Sequence, residues 1–138
     1  MPKHKLDAVD ALPQVAVVAI SCHVPDYRLC WSLNRALGLR LERRAQDITE
    51  RAKDKELRFT VFDHRDAEGG PQWTLVSNAC GKRRLIASQQ QADFFLVVGQ
   101  DAPGLEGDLL ARLRAAEFVL MAYPVDIAQL RMSHKLLL

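Results

Sequence analysis

The stretch RLIASQQQADFFLVV, residues 84–98, passes from a basic residue through three glutamines and an aspartate into an unbroken apolar run. Its end, DFFLVV over 93–98, is too short for a helix and too uniformly apolar for a strand with one wet face. It therefore reads as a central strand, buried on both sides. Phe94 and Phe95 point to opposite faces, so at least one belongs to the core. The glutamines Gln89, Gln90 and Gln91 read as a solvated connection. Asp93 admits two readings. It caps a turn or pairs with an arginine, or it is a catalytic base raised by desolvation.

The same argument applies to VAVVAISC, residues 15–22. Just beyond it, Pro25-Asp26 is a helix start, because the Asp26 carboxylate can accept from free amides of the first turn. Leu29, Cys30, Leu33, Ala36 and Leu37 then recur on one helical stripe, predicting a helix over 26–37. Gly38 suits the left-handed residue that ends it, and Leu39 can fold back over the last turn. Residues 40–56 are polar, with a strand near 40–50 and a loop or helical turn at TERAKDKE. LRFTVFD (57–63) and QWTLVSNA (72–79) read as paired strands around a turn at Ala67-Glu68-Gly69-Gly70-Pro71, and Cys80-Gly81-Lys82 turns again. Pro103-Gly104 breaks the chain. Leu105, Leu109, Leu110, Leu113 and Ala116 predict a second helix over 105–117. FVLMAY (118–123) is the last strand, closed by Pro124, and Asp126 can cap a short C-terminal helix.

Strands joined by tight turns pair antiparallel. The expected fold is an α+β two-layer sandwich, a mainly antiparallel sheet with two helices on one face. A ferredoxin-like arrangement is the candidate core topology. The chain has 138 residues and a formal charge of only +2. Its organisation reads as a loose leader over 1–12 and a single α+β domain over 13–138. The apolar runs are too short to span a bilayer, where about 20 residues are needed, and no signal-peptide core is present. Cys22, Cys30 and Cys80 are odd in number and irregularly spaced, which does not suit a disulfide framework. A cytoplasmic protein is expected.

Two of these stretches, taken with the tail, resemble the IPExxxVDY family, a small group of uncharacterised proteins mostly from Bacteroidota. They are DYRLCWSLNRALGL, then LIASQQQADFFLVV, then VDIAQLRMSHKLLL at the end. The naming motif falls on Ile86-Ala87-Ser88 and Ala92-Asp93-Phe94. Ile86 and Asp93 match it literally; Ala87-Ser88 replace Pro-Glu, Ala92 replaces Val and Phe94 replaces Tyr. The resemblance covers most of residues 14–138 and transfers no activity. Its gene neighbourhood, with acyl carrier protein, a ketoacyl synthase and ribonuclease III, implies an acyl carrier or RNA as partner classes.

The sequence carries no metal-ligand spacing, no nucleophile set and no phosphate-cradling loop. Cys22 and His23 are adjacent, so on a strand they face opposite ways and make a poor nucleophile–base pair. No catalytic residue, cofactor or metal is expected. The candidate site is cationic: Arg40, Arg43 and Arg44 in one cluster, Lys82, Arg83 and Arg84 in another. On one face they would draw an acidic protein, acyl carrier protein among them, or RNA. Tyr27 and Trp31, four apart on the first helix, are candidates for base stacking, or else a packing pair. Against the patch, Glu42, Asp47 and Glu50 interrupt the first cluster. An enzyme with residues gathered from distant strands is the third reading, and its sign would be a pocket at Asp93, His64 or His23. The apolar tail, Leu130 and Leu136 to Leu138, either docks on its own domain or is shared in a homodimer.

Overall fold

A computed structural model describes residues 15–64, 73–99 and 108–137. The described elements are β1 (Val15–Cys22), α1 (Asp26–Leu37), β2 (Leu41–Arg43), β3 (Ile48–Ala52), β4 (Lys55–Phe59), β5 (Val61–His64), β6 (Trp73–Ser77), β7 (Ala79–Cys80), β8 (Arg83–Arg84), β9 (Phe94–Gly99), α2 (Leu109–Ala115) and β10 (Val119–Val125). A single 3-10 turn, Ser133–Leu136, comes last. The expected leader over 1–12, the turn at 67–71 and Leu105 with Pro103-Gly104 lie outside the described residues.

Six strands form one sheet in the order β10-β1-β9-β6-β5-β2, every neighbouring pair antiparallel. β1 and β6 therefore run parallel, as do β9 and β10, and α1 and α2 lie in the connections between them. The order β10-β1-β9-β6 is that of a ferredoxin-like split β-α-β pair. β2 to β5 are inserted between α1 and β6.

Alternation along β1 and β9 divides two apolar layers. Val18, Ile20, Cys22, Phe94, Leu96 and Val98 face the helices, meeting Leu29, Cys30 and Leu33 of α1 and Leu109 and Leu113 of α2. Val17, Ala19, Phe95 and Val97 face the other way. This second face is also covered, although no described helix lies on it: Leu57 and Phe59 of the β3–β4 ribbon, Leu85, Ile86 and Ala92 of the loop after β8, and Leu130 and Leu136 of the tail all pack there. The two helices on one face of an antiparallel sheet are as the sequence predicts; irregular segments form the other cover.

α1 ends as expected. Gly38 adopts φ 68° and ψ 38°, and the Leu39 amide donates to the Asn34 carbonyl at 3.1 Å. Asn34 also accepts the Leu41 amide on its side-chain oxygen at 2.9 Å, which fixes where β2 begins. Three expectations need correction. LRFTVFD is not one strand. It breaks at Thr60, where β4 leaves to pair with β3 and β5 joins the main sheet. Pro124 does not close the last strand but sits within it, opposite Val18. That is tolerated because β10 is an edge. The C-terminal helix reduces to the 3-10 turn, and Asp126 accepts the Ala128 amide in a local turn instead.

The loop between β8 and β9 is organised by Asn78, whose side chain is wholly buried. Its amide donates to the carbonyls of Gln89 at 2.9 Å and Ala92 at 2.8 Å. Its side-chain oxygen accepts the Ile86 amide at 2.7 Å. Its own backbone amide and carbonyl engage Asp93 and Leu85, both at 2.9 Å. One asparagine thus supplies the pairing that a loop pressed against a sheet otherwise lacks. Gln90 and Gln91 are exposed, as a solvated connection requires, while Gln89 is half-buried and its Oε1 accepts the Tyr123 hydroxyl at 3.0 Å.

Candidate functional site

The two arginine clusters meet different fates. Arg44 forms a two-pronged pair with Asp63, Nε to Oδ2 at 2.7 Å and Nη2 to Oδ1 at 2.8 Å. The Thr74 hydroxyl donates to the same carboxylate at 2.9 Å. A partly buried fork of this kind ties β5, β6 and the segment after β2 together. Arg43 is bound to Asp47 at 3.0 Å. Arg40 is exposed, and its backbone amide donates to His64 Nδ1 at 2.9 Å. The first cluster's charge is largely neutralised within the chain.

Arg84 is turned back over the loop, with Nε donating to the Gln90 carbonyl at 3.1 Å. Lys82 and Arg83 are exposed at the tip of the β7–β8 hairpin, where Gly81 takes φ 61° to make the turn. Among the described residues they line no common groove with Arg40, Arg43 or Arg44. Instead they line a groove of about 630 Å³ with Lys53 and Lys55, from the tip of the β3–β4 hairpin. Ala52 and Cys80 contribute apolar surface, and Asp54 and Glu56 are the carboxylates present. Among the described residues none of these four cations is in an ion pair, whereas Glu56 is matched to Arg58 at 3.3 Å.

Tyr27 and Trp31 lie on the outer side of α1 and are 67% and 48% exposed. With Arg28, Glu117 and Phe118 they surround a hollow of about 480 Å³. The Arg28 guanidinium stands 4.7 Å from the Phe118 ring centre, and that of Arg35 stands 4.9 Å from Trp31. Phe118 adopts φ 77°, a conformation that costs a bulky residue about 1–3 kcal/mol. It is not a strand residue, as the sequence suggested, but the turn residue that aims its ring at Trp31, 6.5 Å away between centroids.

A third hollow, of about 460 Å³, is lined by Cys22, His23, Asp26, Ser77 and Asp93 among others. An acid–base reading would have to stand here. Asp93 Oδ2 accepts the Cys22 amide at 3.0 Å, at the bulge where β1 shifts register against β10. The Asp93 backbone amide donates to the Ile20 carbonyl at 2.8 Å. So Asp93 holds a strand end, and no described arginine pairs with it. Asp26 accepts the Tyr27 amide at 2.7 Å and the Thr60 hydroxyl at 2.8 Å. Burial pushes the Cys22 thiol up, a backbone hydrogen bond from Val24 opposes this, and the Asp93 charge adds to the rise. The thiol stays protonated at neutral pH, which is the wrong state for a nucleophile. Burial, and then the Asp26 charge, push Cys30 up to about 12.

Among the described residues no three His, Cys, Asp or Glu side chains are grouped to hold a metal ion. None of their buried side-chain polar atoms lacks a partner. No described helix is long and apolar enough to cross a membrane. The tail is tied to its own domain: Leu130 and Leu136 are buried, and Lys135 Nζ bonds Glu50 Oε2 at 2.7 Å and the Leu85 carbonyl at 3.1 Å. Leu138 lies outside the described residues. Comparison of the chain with protein-family models, with curated proteins and with solved structures finds no match.

Proposed function

We propose that the protein is a non-enzymatic docking module that receives an acidic protein in the groove between its two hairpin tips. The observation that carries the reading is the set Lys53, Lys55, Lys82 and Arg83, four cations around a partly apolar groove, none of them in an ion pair among the described residues. Exposed charges of one sign raise the encounter rate with an opposite surface and fix its register. Ala52 and Cys80, both half-buried, give the partner apolar surface to cover. RNA would be drawn by the same charges, but among the described residues no aromatic side chain lines this groove to stack a base. Lys82 and Arg83 belong to the site expected from the sequence, and Lys53 and Lys55 join them. The proposal includes a cytoplasmic location, where the three unpaired cysteines remain reduced.

Kinship to the IPExxxVDY proteins is part of the same proposal. In it, Ile86 and Asp93 of the naming motif serve the fold, through Asn78 and the Cys22 amide. An acyl carrier protein is a suitable acidic probe. Its affinity for the native chain should fall at least about tenfold when Lys53, Lys55, Lys82 and Arg83 are all changed to glutamate. It should also weaken as salt shortens the screening length below about 10 Å. Equal binding by both proteins, or no binding of the probe by the native chain at low salt, overturns the proposal.

A further inference from the structure

We infer that the outer face of α1 is a separate binding surface for single-stranded RNA, with Tyr27, Trp31 and Phe118 as the stacking platform and Arg28 and Arg35 as the phosphate contacts. Tyr27, Trp31 and Arg35 recur every fourth residue, so they stand about 6 Å apart along one side of the helix. The residues between them that pack inward, Leu29, Cys30 and Leu33, are buried against the sheet. The fold therefore needs α1, but it does not need large aromatic rings on its wet side. An exposed tryptophan and tyrosine beside a third ring expose an apolar patch that invites cover.

Charge selects the cover. Arg28 and Arg35 make no ion pair and no side-chain hydrogen bond among the described residues. Each guanidinium carbon stands over an aromatic ring, 4.7 Å from the centre of Phe118 and 4.9 Å from that of Trp31, and its N–H groups have no described acceptor. Arg112 extends the cationic line on α2 and donates to the Ala36 carbonyl at 3.0 Å. Alternation of flat rings with guanidinium groups matches a strand whose bases are unstacked and whose phosphates lie between them. Glu117 supplies the one carboxylate of the hollow among the described residues. It repels phosphate but accepts a hydrogen bond from a ribose 2′-hydroxyl, a group that DNA lacks. The Ser32 hydroxyl donates to the Glu117 carbonyl and so anchors the turn that carries both Glu117 and Phe118.

The chain has two tryptophans, and Trp73 is buried while Trp31 is exposed. Stacking of a base on Trp31 should therefore quench the fluorescence of the native protein. The probe is an oligoadenylate of about eight nucleotides, labelled for anisotropy, at about 50 mM salt. Expected results are saturable quenching, and a loss of roughly fivefold or more for Tyr27→Ala and for Trp31→Ala, the worth of one stacked base. Trp31→Phe should retain binding without the quenching signal. Arg28→Gln with Arg35→Gln should flatten the salt dependence, since about 0.7 counterions are released per single-strand phosphate. The groove variant with four glutamates should bind the oligonucleotide like the native chain, which separates this inference from the docking proposal. Unchanged affinity in the alanine variants, or no binding by the native chain, overturns it. Equal or tighter binding of the matching DNA strand overturns the assignment to RNA.

Discussion

Replacing Asn78 with alanine should be among the most damaging single changes in the irregular cover of the sheet's second face. The residue is 0% exposed and its side chain makes three hydrogen bonds, to Gln89, Ala92 and Ile86. Truncation removes them together. It leaves the Ala92 carbonyl and the Ile86 amide buried without a partner, at about 1–1.5 kcal/mol each, and weakens the part-buried Gln89 carbonyl by rather less. The expected loss is about 3 kcal/mol, a large share of the ~5–15 kcal/mol that holds a domain of this size. The melting temperature should fall by about 10 °C. Urea unfolding followed by circular dichroism measures it, with a lower midpoint and an unchanged slope. Amide exchange at Ile86 should accelerate even under native conditions. A loss below about 1 kcal/mol would refute the claim that Asn78 organises residues 85–93.

Four further outcomes rest on contacts of the same kind. Cys80 should react first with a thiol reagent at neutral pH, and Cys22 and Cys30, both buried, only on unfolding. Cys30 has a folded value of about 12, above its reference of 9.0. Its contribution to stability is therefore complete below about pH 9 and lost as pH rises toward 12, and urea midpoints of the native chain should fall more steeply in that window than those of Cys30→Ala. Lys135→Met removes the bonds to Glu50 and Leu85 and should cost about 1–2 kcal/mol; a double-mutant cycle with Glu50→Gln should show coupling, and strict additivity would contradict it. At Gly38 an added Cβ meets no atom within 4 Å, so the cost of Gly38→Ala, about 1 kcal/mol in the same urea titration, should come from the left-handed backbone alone.

The parts of the fold that local pattern controls were readable from the sequence. β1 and β9 announce themselves by valine and phenylalanine density, and α1 by its stripe and by Gly38. Features that depend on register across the sheet were not readable. Arg44 looks like a free surface cation in the sequence, and only the pairing of β5 with β2 and β6 brings Asp63 to it. Asn78 reads as a turn residue, because its partners are backbone groups eight to fourteen positions along that carry no side-chain signature. Lys53 and Lys55 sit in a segment too polar to show a strand until Ile48 and Phe59 pair across the hairpin. Tyr27 and Trp31 were visible as a pair, but Phe118, which completes their hollow, depends on a positive φ that no glycine or asparagine at that position advertises.

A buried, chemically silent interior and a working exterior at the hairpin tips form the central division proposed for this molecule. Titrating the isotope-labelled protein with an acyl carrier protein at low salt, and reading amide shifts residue by residue, tests it most directly. Perturbation concentrated at residues 52–57 and 80–83, and reversed by added salt, is the predicted result. Shifts centred instead on Cys22, His23 and Asp93, or spread along the Arg40–Arg44 edge, would contradict it.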